Sequence, residues 1–425
     1  GYTRRNEVRA VYEDRHGRLF RVPYFATLQH TVEEIDELIE GRDRLAEARA
    51  HAAALRGRFD PAFAALAARD ADGGIVETTL DAVARDSDFV FLALHGGRGE
   101  GGDYQRALDA LGVPYNGSGP DEAAVFMDKA ATASLLATKH IPGVRAPRNM
   151  RVALADLRAE HADTLAAFAA LARRHVSFAE IERDLHLAPL EDAIRERIAG
   201  WQADLASPAG LVFKPVADGC SSGVFIWRAG EAGAARFIIA ALSGLAEIRW
   251  AFLGPKYAVM PDEVTLKLPF DERAEFLVEE LHASEPGSTV IELTAAVYGP
   301  QGDMVSMIPS QTLTEFDLLT LEEKFAKGVG VNVTPPNGLS ADRVADLRRR
   351  IAAMANALGI RGYARIDLMY YLERDELVLI EVNSLPGLSM ATVTFTQALV
   401  TPGIAMPPSE FLEALIDVGS AAAGR

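Results

Sequence analysis

The order of apolar and polar residues predicts strands and helices that alternate along most of the chain. Short, continuously apolar runs are typical of buried strands, whereas apolar residues three or four apart are typical of amphipathic helices. The predicted strands span residues 8–12, 19–23, 89–94, 211–215, 224–227, 276–281, 291–298, 364–369 and 379–383. The predicted helices span residues 31–56, 61–69, 103–111, 120–140 and 341–358, with several more between 152 and 206. This order indicates an α/β protein.

The last two predicted strands are separated by a polar turn, so we expect them to pair as a hairpin. Side chains alternate between the two faces of a strand, which places Arg365 and Asp367 on one face. Glu381 and Asn383 share a face of the second strand in the same way. If the strands pair, two carboxylates, an amide and a guanidinium converge on one patch.

This patch suits Mg²⁺, a hard cation that takes a few protein oxygens and fills its shell with phosphates and water. An arginine beside the ion could neutralise charge that grows on a transferring oxygen. The alternative is a pair of half-buried strands with ordinary polar outer faces. That alternative gives no reason for four such groups to cluster before a Pro-Gly turn, so the functional interpretation is favoured.

The composition limits the class of protein. The chain has 425 residues, of which 49% are hydrophobic and 24% charged, as expected for two or three soluble domains. A net charge of −17 argues against nucleic acid or an anionic membrane as the main partner. The single cysteine, Cys220, excludes an intramolecular disulfide and fits the cytoplasm. No apolar run approaches the roughly 20 residues that span a bilayer, and the first residues lack a signal-peptide core.

A glycine-rich loop follows the predicted strand 89–94 and precedes the predicted helix 103–111. Ligands gather at the C-terminal ends of strands in such βα units. Glycines also simply close turns, but His95 and Glu100 flank this loop and strengthen the interpretation of the loop as a site.

Lys129 lies on the predicted helix 120–140. Taken alone, it would be interpreted as an ordinary solvated side chain.

Lys214 lies in an otherwise apolar strand, where a cation needs an anionic partner. The small-residue loop 218–223 follows it and is suited to present backbone N–H groups to phosphate. A plain hairpin turn is the alternative, and Lys214 favours phosphate binding. A later strand ends in two acids, Glu279 and Glu280, and the next strand carries Glu292 near its start.

Taken in order, these segments resemble the ATP-grasp superfamily and, within it, the D-alanine–D-alanine ligase family. The matching segments are residues 95–102, 115–119, 127–129, 213–215 with the loop 218–223, 278–280, 364–367 and 381–387. Each motif is weak by itself, but seven in collinear order are specific. The resemblance covers roughly residues 89–398.

The resemblance implies three groups of site residues. The catalytic group is Arg365, His95, Glu100, Ser221, Lys324 and Phe325. The nucleotide-binding group is Lys129, Lys214, Glu279, Glu280, Leu281 and Glu292. The metal group, for two Mg²⁺ or for Mn²⁺ in their place, is Asp367, Glu381 and Asn383.

Within the nucleotide site, the resemblance implies that Lys129, Lys214 and the lid residue Ser221 contact the phosphates of ATP. Glu279 is implied to bind the adenine amino group, and Glu292 the ribose hydroxyls. Phosphoryl transfer between anions depends mainly on positioning and on charge neutralisation. The lysines, the arginine and Mg²⁺ would supply the positive charge.

The implied reaction is a two-step ligation. The carboxylate of a first substrate attacks the γ-phosphate of ATP, which gives an acylphosphate and ADP. The amine or hydroxyl of a second substrate then displaces phosphate and forms a dipeptide or a depsipeptide. Arg365 is implied to stabilise the tetrahedral intermediate, and His95 to orient the second substrate.

The resemblance also implies a three-domain ATP-grasp architecture with a helical insertion in the central domain. We expect an N-terminal α/β domain over residues 1–124 that lacks the first strand and turn of the family. The central domain is expected over 125–277, with the insertion at about 152–206 as a surface helical hairpin. The C-terminal domain, 278–425, would carry the metal site.

The expected partners are small molecules, namely D-alanine or another amino acid, or a hydroxy acid, without nucleic acid or membrane. A cytoplasmic homodimer in peptidoglycan synthesis is usual in the family.

Three departures from the family all concern the first substrate. The N-terminal glycine-rich turn, with its glutamate, has no counterpart before Val8. Cys220 stands where a serine is usual, and Phe325 follows Lys324 where dipeptide-forming members have tyrosine. Phenylalanine there accompanies members that join D-alanine to D-lactate, and Thr392 lies at an often-serine position near the second substrate. The alternatives are a ligase for other amino acids in secondary metabolism, or a nucleotide-binding regulatory or scaffold protein without catalysis.

Overall fold

The computed structural model describes residues 5–23, 31–42, 51, 74–94, 96–174, 178–215, 223–231, 233–253, 265–268, 275–313, 331–388 and 392–423. The chain divides into two compact units. The first consists of Gly1–Phe91, Ala107–Tyr115 and Leu412–Arg425, and the second of Leu92–Arg106 and Asn116–Phe411. None of the helices in the described part of the chain has the length and apolar character needed to cross a membrane.

The strands are β1 (Ala10–Glu13), β2 (Leu19–Val22), β3 (Val76–Thr78), β4 (Val144–Arg145), β5 (Asn149–Ala153), β6 (Gly210–Lys214), β7 (Phe225–Arg228), β8 (Glu247–Arg249), β9 (Thr265–Lys267), β10 (Glu275–Glu280), β11 (Val290–Gly299), β12 (Val305–Ser306), β13 (Ser310–Leu313), β14 (Val331–Val333), β15 (Gly362–Tyr371) and β16 (Glu376–Asn383). The helices are α1 (Val32–Glu40), α2 (Leu80–Arg85), α3 (Gly97–Glu100), α4 (Asp103–Leu111), α5 (Pro120–Met127), α6 (Lys129–Ala137), α7 (Ala155–Glu160), α8 (Ala162–Ala172), α9 (Phe178–Asp184), α10 (Ala188–Asp204), α11 (Gly233–Leu242), α12 (Ala341–Leu358), α13 (Val393–Val400) and α14 (Pro408–Ala423).

The first unit contains an antiparallel sheet with the strand order β1-β2-β3. Helix α1 begins with a capping box, because the Thr31 hydroxyl accepts from the Glu34 N–H at 3.3 Å and the Glu34 carboxylate accepts from the Thr31 N–H at 2.9 Å. Phe20, Ile35 and Ile39 are buried together between sheet and helix. The two strands predicted over residues 8–12 and 19–23 are confirmed, as β1 and β2.

The strand predicted over residues 89–94 is wrong. In the first unit, Val90 forms only an isolated parallel bridge with Tyr115. In the second unit, the Asn116 side chain accepts from the Leu92 N–H at 2.6 Å and donates to the Leu92 carbonyl at 3.0 Å. The amide of Asn116 thus takes the two backbone groups that a neighbouring strand would pair, so the apolar run does not extend a sheet.

The second unit contains two main sheets in the described part of the chain. The smaller sheet is antiparallel, with the order β5-β10-β6-β7. The larger sheet has the order β14-β13-β11-β15-β16-β4, with β12 also paired to β11 and with β4 parallel to β16. Helix α12 contributes Leu347, Ile351 and Met354 to a core that also contains Ile366 and Leu368 of β15. The amphipathic helix predicted for 341–358 is confirmed with both ends correct.

The segment 152–206 is helical as predicted, but it is not a surface hairpin. Helices α8 to α10 contribute Phe168, Ile194 and Trp201 to a core shared with Phe213 and Phe276 of the smaller sheet. Trp201 and Phe276 pack edge to face, with ring centroids 5.7 Å apart. These helices therefore form one covering layer of the smaller sheet.

That layer fixes which side chains of the smaller sheet face away from it. Phe276 and Val278 of β10 and Phe213 of β6 belong to the helix-covered core. Because side chains alternate along a strand, Glu279 and Lys214 lie on the opposite face. Burial of the apolar side chains under the helices therefore makes Lys214 and Glu279, which are predicted to bind nucleotide, point away from the helices.

The larger sheet has a gap beside β11, which Gln397 of α13 fills. β11 pairs with β13 and, four residues later, with β12. At the gap, the Ala296 N–H donates to Gln397 Oε1 at 2.7 Å, and Gln397 Nε2 donates to the Thr294 carbonyl and to Ser310 Oγ, each at 2.8 Å. Gln397 is fully buried. Its amide therefore completes the hydrogen bonding of a central strand.

We expect Gln397→Met to lower the free energy of unfolding by about 2–4 kcal/mol, since it leaves two buried backbone groups unpaired and each costs about 1–3 kcal/mol. Urea unfolding followed by circular dichroism measures this difference. Gln301→Met is the matched control, because Gln301 is exposed and donates one hydrogen bond of 3.3 Å. Equal effects of the two substitutions would contradict the structural role of Gln397.

Candidate active site

The predicted pairing of the late hairpin is confirmed. In the register of β15 and β16, Arg365 lies opposite Asn383, and Asp367 lies opposite Glu381. The register shifts immediately after Asp367, which marks a bulge at the site. All four side chains lie on one face of the larger sheet, because pairing partners share a face.

Asp367 is held from three adjacent strands. Its carboxylate accepts from Arg365 Nη2 at 3.0 Å and from Arg365 Nε at 3.1 Å. Thr294 on β11 donates to it at 2.6 Å, and Asn383 on β16 donates at 3.2 Å. Thr294 was absent from the sequence predictions, because the alignment of β11 beside β15 is visible only in the register. These contacts fix the orientation of the carboxylate.

Asn383 also links the second carboxylate to the first. Its Nδ2 lies 3.3 Å from Glu381 Oε1, so one amide contacts both acids. Lys129 Nζ lies 3.7 Å from Glu381 Oε2, and only 10% of the Lys129 side chain is exposed. Lys129 is therefore a partly buried cation beside the hairpin, not the solvated side chain that its position alone suggested.

The helix predicted over 120–140 is two helices, because Asp128 interrupts it. Asp128 has an extended conformation (φ −100°, ψ 104°) and caps α6, with its side chain accepting from the Ala131 N–H at 3.0 Å. Arg151 of β5 is paired with the same carboxylate. As a result Lys129 is the first residue of α6 and projects from a helix N-terminus. A capping aspartate before a lysine was the signal in the sequence that could have located this break.

Glu100 joins the glycine-rich segment to the residues that follow β16. Its buried carboxylate accepts from the Gly96 N–H at 2.7 Å and from the Leu385 N–H at 3.1 Å. Part of the predicted loop is the short helix α3, in which a Cβ on Gly99 would lie 2.4 Å from Leu94 Cβ. The glycine is therefore required by a close approach.

A small cavity lies among these groups, and Glu100, Lys129, Glu381, Asn383 and Ser384 line it. The Ser384 hydroxyl is buried and has no hydrogen-bond partner among the described residues. Sequence reasoning did not single out this serine.

The Arg365 guanidinium remains charged at the site. Burial alone would lower its pKa, but the carboxylates of Asp367, and then of Glu381 and Glu100, raise the pKa of Arg365 above its ordinary value. A permanent cation thus lies next to the two acids. This arrangement is suited to stabilising a negatively charged oxygen.

The predicted nucleotide residues Lys214 and Glu279 contact each other on the smaller sheet. Lys214 Nζ donates to Glu279 Oε2, and their side chains are 8% and 3% exposed. The other oxygen, Glu279 Oε1, is buried and has no hydrogen-bond partner among the described residues. An unpaired buried acceptor is costly, and a donor such as the amino group of adenine fits it.

Comparison with known proteins decides the family. A family model described as D-ala D-ala ligase C-terminus matches residues 266–417. The D-alanine–D-alanine ligase of Gluconobacter oxydans is 31% identical over 335 residues, which cover 77% of this chain and 80% of that protein. The chain belongs to the D-alanine–D-alanine ligase family. A further relative of that name, from Gloeobacter violaceus, is 29% identical over 72% of this chain and 74% of its own length.

Solved structures agree with the fold of the D-alanine–D-alanine ligase family. The D-alanine–D-alanine ligase of Coxiella burnetii superimposes with a TM-score of 0.58 at 15% identity, over 98% of this chain and 86% of that one. The VanG D-Ala:D-Ser ligase of Enterococcus faecalis superimposes with a TM-score of 0.57 at 18% identity, over 97% of this chain and 89% of that one. The predicted family and the predicted ATP-grasp fold are confirmed, and the chain is an ATP-dependent ligase.

Other residues that the family resemblance singled out have varied surroundings. Glu280 is paired with Arg145 and Arg148, and the Leu281 N–H donates to Ser207 Oγ at 3.0 Å. Glu292 lies opposite Met369, on the same face of the larger sheet as Asp367. Thr392 precedes the first residue of α13. The predictions for His95, Ser221, Lys324 and Phe325, and for Cys220, fall outside the described residues.

The donor set of this ligase fits a hard cation. Within the described ranges, no three or more His, Cys, Asp or Glu side chains are grouped to enclose a metal ion. Asp367, Glu381 and Asn383 instead offer two carboxylates and an amide from one face of the sheet. These groups would bind a metal ion from one side and leave its other coordination positions open. Mg²⁺ is usually bound in this way, with one or two carboxylates from the protein and with waters and phosphates in the remaining positions.

Proposed function

We propose that this ligase activates the carboxylate of D-alanine with ATP and joins it to a second D-amino acid or D-hydroxy acid. The observation that carries the proposal is the convergence of Arg365, Asp367, Glu381, Asn383 and Lys129 on one face of the larger sheet in a chain of this family. The relatives, a D-alanine–D-alanine ligase and a D-Ala:D-Ser ligase, support this substrate class. No protein nucleophile is required, since the acylphosphate forms on the substrate.

In this proposal Lys129 and Lys214 bind phosphate oxygens, and Glu279 accepts from the base through its unpaired oxygen. Lys214 would then exchange part of its contact with Glu279 for phosphate, which keeps each buried charge paired. Asp367, Glu381 and Asn383 would hold Mg²⁺, whose chemistry is to neutralise charge on the phosphate oxygens.

Arg365 has the second task in the proposed reaction. When the amine or hydroxyl attacks the acylphosphate carbon, negative charge moves onto the carbonyl oxygen. A fixed guanidinium stabilises that charge more strongly than it stabilises the ground state. Asp367 orients Arg365 through two hydrogen bonds of 3.0 and 3.1 Å, so the arginine needs little reorganisation.

The residue after Lys324 bears on the choice of the second substrate. Phe325, where dipeptide-forming members of the family have tyrosine, favours a hydroxy acid such as D-lactate, and we expect Phe325→Tyr to shift preference toward an amine. A ligase for other amino acids in secondary metabolism is the competing enzyme function. A protein without catalysis is disfavoured, because Arg365, Asp367, Glu381 and Asn383 are all retained and lie on one face of the larger sheet.

Phosphate release with ATP and Mg²⁺ tests this function. We expect release with D-alanine plus D-lactate to exceed release with D-alanine alone, and mass spectrometry should identify an ester product. D-serine is the third acceptor to compare, and L-alanine is the control for stereochemistry. Phosphate release with other amino-acid pairs but none with D-alanine would show that the enzyme is a ligase for other amino acids. Nucleotide binding without release under any condition would reject catalysis.

A further inference from the structure

An ionic cluster built around the buried carboxylate of Glu280 lies where the two main sheets of the second unit are joined. Glu280 Oε1 accepts from the Arg148 N–H at 2.8 Å, and Oε2 accepts from Arg148 Nε at 2.9 Å and from Nη2 at 2.5 Å. Arg145 donates to the same carboxylate and also contacts Glu376 at 3.1 Å. We name Glu280, Arg145, Arg148 and Glu376 the sheet-joint cluster.

The members of the sheet-joint cluster belong to different sheets. Glu280 is the last residue of β10 in the smaller sheet, whereas Arg145 and Glu376 lie on β4 and β16 of the larger sheet. Arg148 lies in the short segment between β4 and β5, where the chain passes from one sheet to the other. The cluster therefore fixes the end of one sheet against the edge of the other.

The pairing within the cluster is strong enough to overcome burial. The Glu280 side chain is 3% exposed, and burial alone would raise its pKa. The hydrogen bonds from Arg145 and Arg148 instead lower the pKa of Glu280 to about 2. A buried carboxylate that loses such partners is strongly destabilised, so the cluster specifies one geometry.

A second contact crosses the same joint beside the cluster. His282, two residues after β10 ends, contacts the Tyr371 hydroxyl at the end of β15, with Nδ1 2.8 Å away. Burial lowers the pKa of His282 to about 4. The imidazole is therefore neutral at physiological pH and adds a hydrogen bond, without adding charge to the cluster.

Glu279 and Glu280 have opposite surroundings although they are neighbours in sequence. Glu279 contacts Lys214 on the face of β10 away from the helix-covered core. Glu280 is bound by the two arginines of the joint. Fixing Glu280 consequently fixes the position of Glu279 relative to β15 and β16, because one strand carries both.

We propose that Glu280 is a positioning residue, which holds the nucleotide pair Lys214–Glu279 of the smaller sheet in register with the metal residues Asp367 and Glu381 of the larger sheet. This inference rests on the proposed function. It replaces direct nucleotide contact as the role of the Glu280 carboxylate. Misplacement of reacting groups by about 1 Å costs on the order of 100-fold in rate. A change at Glu280 that shifts the nucleotide pair relative to the metal residues is therefore expected to lower the rate strongly, although Glu280 contacts neither.

Calorimetric titration of the full chain with ADP and with inosine diphosphate, in the presence of Mg²⁺, tests the proposal. Inosine diphosphate lacks the 6-amino group of adenine. We expect Glu280→Gln to weaken the binding of both nucleotides by the same factor, on the order of 10-fold, as when a residue that orients a ligand-binding group is changed, so the ratio of the two affinities is unchanged. Glu279→Gln, at the neighbouring residue, should change that ratio. These affinities do not depend on turnover, so failure of the ligase assay and failure of this proposal are distinguishable.

A second pair of variants covers the case in which Glu280→Gln does not fold. Arg148→Gln removes one partner of Glu280, and the Arg148 side chain is 49% exposed. We expect it to weaken ADP binding by a smaller factor, again with an unchanged ratio. Arg197→Gln is the matched control, since Arg197 is 46% exposed and pairs with Asp156 at 2.6 Å away from the joint.

Two results would overturn the proposal. A folded Glu280→Gln protein that binds ADP as the unaltered protein does would show that the cluster only stabilises the fold. A changed ratio of ADP to inosine diphosphate affinity in Glu280→Gln would show that Glu280 contacts the base directly.

Discussion

Glu381→Gln should lower kcat by about 1,000-fold, which corresponds to the several kcal/mol that a catalytic metal ion supplies. Glutamine has nearly the same shape as glutamate, so the strand pairing with β15 is preserved. The substitution removes one of two carboxylates that face the proposed Mg²⁺, and it removes a negative charge that lies 3.7 Å from Lys129 Nζ. The loss therefore affects both metal binding and the charge balance of the site.

The Mg²⁺ dependence of phosphate release separates these effects. We expect the Mg²⁺ concentration for half-maximal rate to rise about 10- to 100-fold in Glu381→Gln, with partial recovery at high Mg²⁺. Glu373→Gln is the control on the same hairpin, because the Glu373 carboxylate accepts from Thr289 at 2.6 and 2.8 Å, on the exposed turn. Near-normal kcat with unchanged Mg²⁺ dependence in Glu381→Gln would remove Glu381 from the metal site.

The hairpin of β15 and β16 shows which contacts of the site the sequence pattern alone could predict. Alternation along two strands predicted that Arg365, Asp367, Glu381 and Asn383 would meet, and the register confirms this. The same reasoning could not find Thr294, which donates to Asp367 at 2.6 Å from a strand more than 70 residues earlier. Pairing between distant strands depends on tertiary packing that local periodicity does not encode.

The errors in the predicted elements have local causes. Asp128 interrupted a predicted helix, because a capping side chain competes with continued helical hydrogen bonding. The apolar run 89–94 was wrongly predicted as a strand, because an asparagine side chain took the place of a neighbouring strand. In both cases one polar side chain outweighed the hydrophobic pattern.

The neighbouring acids Glu279 and Glu280 show what family resemblance adds and what it omits. The resemblance selected both residues as nucleotide ligands, and it implied a specific contact, with the adenine amino group, for Glu279 alone. The structure separates them, since Glu279 has a buried oxygen without a partner and Glu280 is fully engaged by arginines. The arginines lie more than 130 residues earlier in the chain, so no local pattern could have revealed this difference.

Arg365→Lys should lower kcat by about 100- to 1,000-fold, the cost of removing one fixed donor to a developing oxyanion. Lysine keeps the positive charge but cannot reproduce the planar pair of N–H groups that Arg365 presents to Asp367 at 3.0 and 3.1 Å. The ammonium would therefore be free to rotate, and its position relative to the attacked carbon would be lost.

The division between kcat and KM decides whether Arg365 acts in the transition state. We expect the KM for ATP to change little in Arg365→Lys, because an interaction made only in the transition state lowers kcat and kcat/KM equally. Arg349→Lys is the control, since Arg349 forms an exposed pair with Asp346 at 2.6 Å on α12. A large rise in the KM for ATP at nearly unchanged kcat would assign Arg365 to ground-state binding of the nucleotide. Its guanidinium would then serve the phosphates, and the acyl-transfer step would need another source of positive charge.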